Sequence, residues 1–129
     1  MAVQVKTLLV LLASVCQFVT LDLAYGHGDD KPKRGGIMGR GDEISIELVM
    51  EQSAIALYIE DHGTPVMTKG VTGTLSLIGP GRPGQEARLI PAGDNKLTAT
   101  GLKPIPGDRL RAQIRLPNGD EVSSSFSFR

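Results

Sequence analysis

The sequence is poor in the residues that most often carry chemistry. It has one cysteine (Cys16), no tryptophan, two histidines, two tyrosines and three phenylalanines in 129 residues. A single cysteine allows neither an internal disulfide nor a thiolate metal cluster. Fourteen Lys and Arg balance fourteen Asp and Glu, so the formal net charge is zero. The basic excess of a nucleic-acid binder is missing, and no nucleic-acid partner is expected. No apolar run reaches the roughly 20 residues that a membrane-spanning helix needs. Punctuation, by contrast, is plentiful: 16 glycines and 8 prolines, without the G-x-y repeat of collagen. The small aromatic content leaves Leu, Ile and Val to build a core.

Residues 1–26 read as a secretory signal peptide. Lys6 supplies the charged start, Thr7–Thr20 the apolar run, and Ala24 and Gly26 the small residues of a cut before His27. Cys16 would leave with that segment, and the Val15 before it is not the small residue that a lipidated cysteine requires. Periplasmic export, with no stable membrane insertion after cleavage, is therefore the expectation. Residues 27–41 (HGDDKPKRGGIMGRG) are charged, glycine-rich and short of large apolar groups. Such a stretch buries too little surface to offset its ordering entropy, which predicts a flexible leader.

From residue 42 the pattern has period two, and residues 42–129 are read as one domain. Ile44, Ile46, Leu48 and Met50 alternate with Glu43, Ser45, Glu47 and Val49, which places Met50 on the core stripe. Six more candidate strands follow: Ala54–Asp61, Val71–Gly79, Glu86–Pro91, Lys96–Gly101, Arg109–Leu116 and Glu121–Phe128. Turn chemistry separates them, including Asp61–Pro65, Pro80–Gly84, Ala92–Asn95 and the Asn-Gly pair of Pro117–Asp120. Seven short strands without a helix predict an all-β, antiparallel two-sheet sandwich of immunoglobulin-like type. A small open barrel is the alternative.

Catalytic motifs are absent. No G-x-S-x-G or thiol nucleophile is available, and Ser123, Ser124 and Ser125 read as strand residues. GPGRPGQ (Gly79–Gln85) lacks the Lys-Ser/Thr ending of a phosphate loop and precedes a strand, so it reads as a hairpin loop. No enzymatic activity is expected. Metal chemistry has more to work with. Candidate ligands are His27, Asp29, Asp30, Met38, Met50, Asp61, His62 and Met67. A cut before His27 would expose an amine beside its imidazole. Both could chelate Cu(II), or another divalent transition metal, with Asp61 and His62 completing a tetragonal N/O set.

Two charged stripes complete the inventory. Arg109, Arg111 and Arg115 line one face of a strand, and Glu43, Glu47 and Glu51 line another. On neighbouring strands they would pair; apart, the arginines form a candidate protein-docking face.

The run Leu57–Gly79, with its D-x-G-x-P turn at Asp61–Pro65 and its K-G-V-T-G-T-L stretch at Lys69–Leu75, resembles a known family. So does Ala87–Gly101, with the P-A-G-D-N turn at Pro91–Asn95. The resemblance is to a small periplasmic immunoglobulin-like domain found in, or beside, heavy-metal efflux adaptor (membrane-fusion) proteins. HGDD (His27–Asp30) is a short version of the metal-rich N-terminus of that family. The resemblance implies a stand-alone accessory domain linked to transition-metal efflux or metal handling, with an efflux adaptor or other envelope protein as partner. The adaptors' helical hairpin, lipoyl-like half-motifs and barrel module are missing. A protein-interaction module without a metal role is the alternative.

Overall fold

The computed structural model describes residues 31–41 and 44–129. The stretch expected to be a signal peptide (1–26), His27, Asp29, Asp30 and Glu43 lie outside the described residues.

The described chain is all-β. Its strands are β1 (Ile37–Met38), β2 (Arg40–Gly41), β3 (Ile44–Met50), β4 (Ile55–Asp61), β5 (Thr64–Pro65), β6 (Thr72–Ile78), β7 (Gln85–Pro91), β8 (Lys96–Ala99), β9 (Arg109–Arg115) and β10 (Glu121–Ser127). The seven longer strands coincide with the seven alternating stretches of the sequence. Every pairing is antiparallel, in the order β1-β3-β4-β8-β7-β6-β9-β10-β2, with β5 paired to β4.

Because β1 and β2 are consecutive in the chain, the two ends of this order meet. Residues 37–41 pair first with β3 and then with β10, and the Gly39 N–H between them donates to Ile46 O at 2.9 Å. The sheet is thereby nearly closed into a barrel. β7 turns the opposite corner: its residues 85–89 pair with β6, while Ile90 and Pro91 pair with β8.

The core follows the alternation. Ile46 and Leu48 of β3, Leu57 of β4, Leu75 of β6, Leu97 of β8, Leu110 of β9 and Phe126 of β10 are among the fully buried side chains. Their intervening neighbours point outward. Met50 departs from its expected place: at the last position of β3, beside the turn to β4, it is 44 % exposed. The stripe simply runs past the end of the barrel.

The leader is the main correction. Its residues 31–41 are built into the fold rather than flexible. Glu47 of β3 points outward, yet it is only 4 % exposed, because the chain from Lys33 to Gly36 folds over it. Its carboxylate accepts the N–H groups of Lys33 (3.1 Å), Arg34 (2.8 Å) and Gly36 (3.0 Å). Gly35 sits at φ +70 in the middle of this run, so the backbone curls into a small anion-holding concavity. Burial pushes the Glu47 carboxyl up, but the N–H groups of Gly36, Arg34 and Lys33 and the Arg34 guanidinium outweigh it. They hold the group below its ordinary value.

Two leader glycines mark close approach rather than flexibility. A Cβ on Gly36 would overlap Leu48 O, and one on Gly39 would overlap Ser124 Oγ and crowd the Phe126 ring. The strap is glycine-rich because it threads between two strand edges that leave no room for a side chain.

Loop ends are fastened by ordinary turn chemistry. His62 (φ 48) and Gly63 (φ 81) form a two-residue hairpin loop between the paired Asp61 and Thr64. This is the primed geometry whose twist suits a hairpin. In the β9–β10 hairpin, Gly119 N donates to Leu116 O and Leu116 N to Asp120 O, each at 2.9 Å. Arg82 in the β6–β7 loop reaches the buried Asp108 carboxylate before β9, so Gly79–Gln85 is a hairpin loop tied to its neighbour. Asp108 also accepts the Ile105 N–H at 2.8 Å.

Candidate functional site

The two outer sides of the barrel treat their charges differently. On the side of β3, β4 and β8, three cations are matched. Lys33 pairs with Glu60 at 2.7 Å, Arg34 lies 3.6 Å from Glu47, and Lys96 pairs with Glu51 at 2.6 Å. The Arg34 guanidinium also stacks 3.9 Å above the Tyr58 ring. The two described members of the acidic stripe are engaged: Glu47 holds the strap and Glu51 holds Lys96, whose ammonium that contact stabilises.

On the opposite side, β7, β6, β9, β10 and β2 lie in that order. The sequence places Arg109, Arg111 and Arg115 on the outer face of β9, and the structure exposes all three there. They are not beside β3; the neighbours of β9 are β6 and β10. Cross-strand register puts further residues on the same face. One row runs Arg88–Thr74–Gln113–Ser123, the next Glu86–Ser76–Arg111–Ser125–Arg40. Outside them lie Thr72–Arg115–Glu121 on one side and Ile78–Arg109–Ser127 on the other.

Five arginines thus share the face with two glutamates. Arg115 is paired with Glu121 at 2.6 Å. Arg40, Arg88, Arg109 and Arg111 make no ion pair with any of the described residues. Neighbouring strands lie about 4.8 Å apart and alternate residues of one strand about 6.6 Å apart, so the cations form a lattice with spacings of roughly 7–12 Å. The remaining positions of the two central rows, Thr74, Ser76, Gln113, Ser123 and Ser125, are short or amide side chains that donate and accept hydrogen bonds.

The face is not flat throughout. Where β7 leaves β6 to join β8, a groove of about 1020 Å³ opens, lined by Thr72, Thr74, Arg88, Gln113, Arg115 and Ser123 among others. Gly73 lies at the fork. A Cβ there would overlap Gln113 O and press on Leu89, so the bare Cα lets β6 and β9 close beneath the groove.

Of the expected metal ligands, Asp61 and His62 are brought together at the exposed β4–β5 tip, where His62 Nδ1 lies 2.5 Å from Asp61 Oδ1. An ionised carboxylate only accepts, so Nδ1–H donates to it, and the His62 side chain is largely exposed. No group of three or more His, Cys, Asp or Glu able to hold a metal ion occurs among the described residues. His27, Asp29 and Asp30 lie outside them.

Arg40 and Arg88 escaped the sequence reading because they sit on other strands; only cross-strand register adds them to the β9 stripe. The groove had no signal beyond the alternation of Thr72, Thr74 and Ser76. No family model, curated protein or solved structure matches the chain.

Proposed function

We propose that the protein is a non-enzymatic binding module that docks an acidic partner on the outer face of β6, β9 and β10. The observation that carries this reading is the segregation of charge. In a chain with no net charge, Lys33, Arg34 and Lys96 of one side are neutralised in place while four arginines of the other have no anionic partner among the described residues. Unmatched arginines offer bidentate recognition of carboxylate, sulfate or phosphate. The test uses the full chain against immobilised polyanions, polyglutamate and a polyuronate, at low salt. Binding is expected, and Arg109→Glu with Arg111→Glu abolishes it. Retention of neither polymer by the unmodified protein removes the proposal.

A second reading, metal handling, is favoured by the Asp61–His62 pair. A carboxylate that fixes one ring nitrogen orients the other for a cation, and His27 would have to complete the set. Calorimetric titration with Cu(II), Zn(II) and Ni(II) decides it: absence of binding tighter than about 100 μM, roughly −5.5 kcal/mol, eliminates it. The periplasmic, accessory role beside an efflux adaptor or another envelope protein belongs to the same proposal, and N-terminal sequencing of the exported protein tests its first step. The immunoglobulin-like sandwich is the finer proposal for the fold. It is supported by pairings that separate into β1-β3-β4-β8 and β6-β9-β10-β2, with β7 contributing to both.

A further inference from the structure

We infer that the occupant of this face is an acidic polysaccharide, a chain of sugars carrying carboxylate, sulfate or phosphate groups, seated along the groove at the β6–β7 fork and across the arginine rows. The inference rests on the binding reading above and narrows its partner. Three features of the face select this chemistry.

The first is what the centre of the face lacks. Protein interfaces bury an apolar, aromatic-rich core inside a polar rim. Here the centre of the rows is Thr74, Ser76, Gln113 and Ser125; Ile78 lies at one margin, and the apolar surface of the other margin, Ile90 and Pro91 with Val71 and Leu89, is confined to the groove. A protein partner would find only that narrow, non-aromatic apolar strip at one margin and no core among the arginine rows. No aromatic side chain occupies any of the four rows, so single-stranded nucleic acid finds no stacking platform.

The second is the pairing of chemistries. A polyhydroxylated anion needs charge and dense hydrogen bonding together. Each central row sets arginine among hydroxyl or amide groups: Arg88 with Thr74 and Gln113 in one, and Arg111 with Ser76 and Ser125 in the other, where the one carboxylate, Glu86, stands at the β7 end away from Arg40. The third is shape. The groove of about 1020 Å³ is open and bordered by residues of β7, β6, β9 and β10, which lets a chain laid over the strands run on to Arg111 and Arg40. The matched cations of the other side, Lys33, Arg34 and Lys96, supply a built-in comparison.

The experiment measures binding of the full chain to a soluble polyuronate and to polyglutamate of similar charge and length. The polyuronate is expected to bind at least tenfold more tightly than polyglutamate. If four arginines each neutralise one charge, counterion release weakens the polyuronate complex roughly 50-fold between about 50 and 200 mM salt. Arg111→Glu and Arg88→Glu should each weaken it by about tenfold or more, with Thr74→Val and Gln113→Leu weakening it by a few-fold at unchanged salt slope. Lys33→Glu, on the opposite side, should leave it unchanged. Circular dichroism and melting of each variant separate lost binding from lost folding. Equal affinity for the two polymers overturns the glycan assignment but leaves the acidic-partner reading standing. Insensitivity to both arginine substitutions overturns the face itself, and failure to bind either polymer overturns both.

Discussion

Replacing Glu47 with glutamine should detach the strap while leaving the barrel core intact. The substitution keeps the size of the side chain but removes the charge that three backbone N–H groups now share. Hydrogen bonds to a charged acceptor contribute more than neutral ones by roughly 0.5–1.5 kcal/mol each, and a neutral amide is easier to bury. The net loss is therefore about 2 kcal/mol. For a domain of this size that lowers Tm by roughly 8–16 °C. Amide exchange at Lys33, Arg34 and Gly36 should accelerate sharply, while amides of β4 and β9 stay protected. The pH dependence has a definite sign. Glu47 is held below its ordinary value of 4.5, so its contribution is complete above that pH. It is lost as pH falls through the folded value. The gap between the parent protein and Glu47→Gln should therefore be full at neutral pH and close below about pH 4.5. A variant that melts within about 2 °C of the parent, with unchanged amide protection in the strap, refutes the reasoning.

Three further outcomes follow from the same structure. Gly39→Ala should destabilise more than Gly35→Ala, because the former meets Ser124 and Phe126 whereas the latter meets nothing and carries only the left-handed strain at φ +70. Denaturant midpoints should differ by at least about 1 kcal/mol after conversion. Arg82→Ala should lower Tm more than Asp108→Asn: the arginine variant strands a buried carboxylate, whereas in the asparagine variant Arg82 can turn to water and the Ile105 N–H keeps an acceptor. The Arg82 guanidinium and the Ile105 N–H hold the Asp108 carboxyl below its ordinary value of 3.8, so that difference should also shrink as pH falls below it. His62→Asn should raise stability by about 0.5 kcal/mol in thermal melts, since asparagine adopts the left-handed conformation at this turn position more readily.

The sequence alone determined the seven longer strands. Alternation is a local property: once Ile46 and Leu48 or Leu110, Ala112 and Ile114 need burial, the pleat dictates that Glu47 or Arg111 points the other way. Asn118-Gly119 and His62-Gly63 likewise set hairpins from backbone preference alone, so seven strands and their turns were legible. What the outward positions meet was not, because register between distant strands is a long-range fact. Glu47 and Arg111 look alike in the sequence, each a charge on a polar stripe. Only the tertiary structure folds the backbone of Lys33–Gly36 over the first and leaves the second among Ser76, Ser125 and Arg40. The same holds for Gly36 and Gly39, whose composition suggests entropy and whose role is close packing. The strap and the arginine face exist because the barrel brings β3 to β10 and sets β6, β9 and β10 side by side. Neither proximity is encoded in any single stretch of chain.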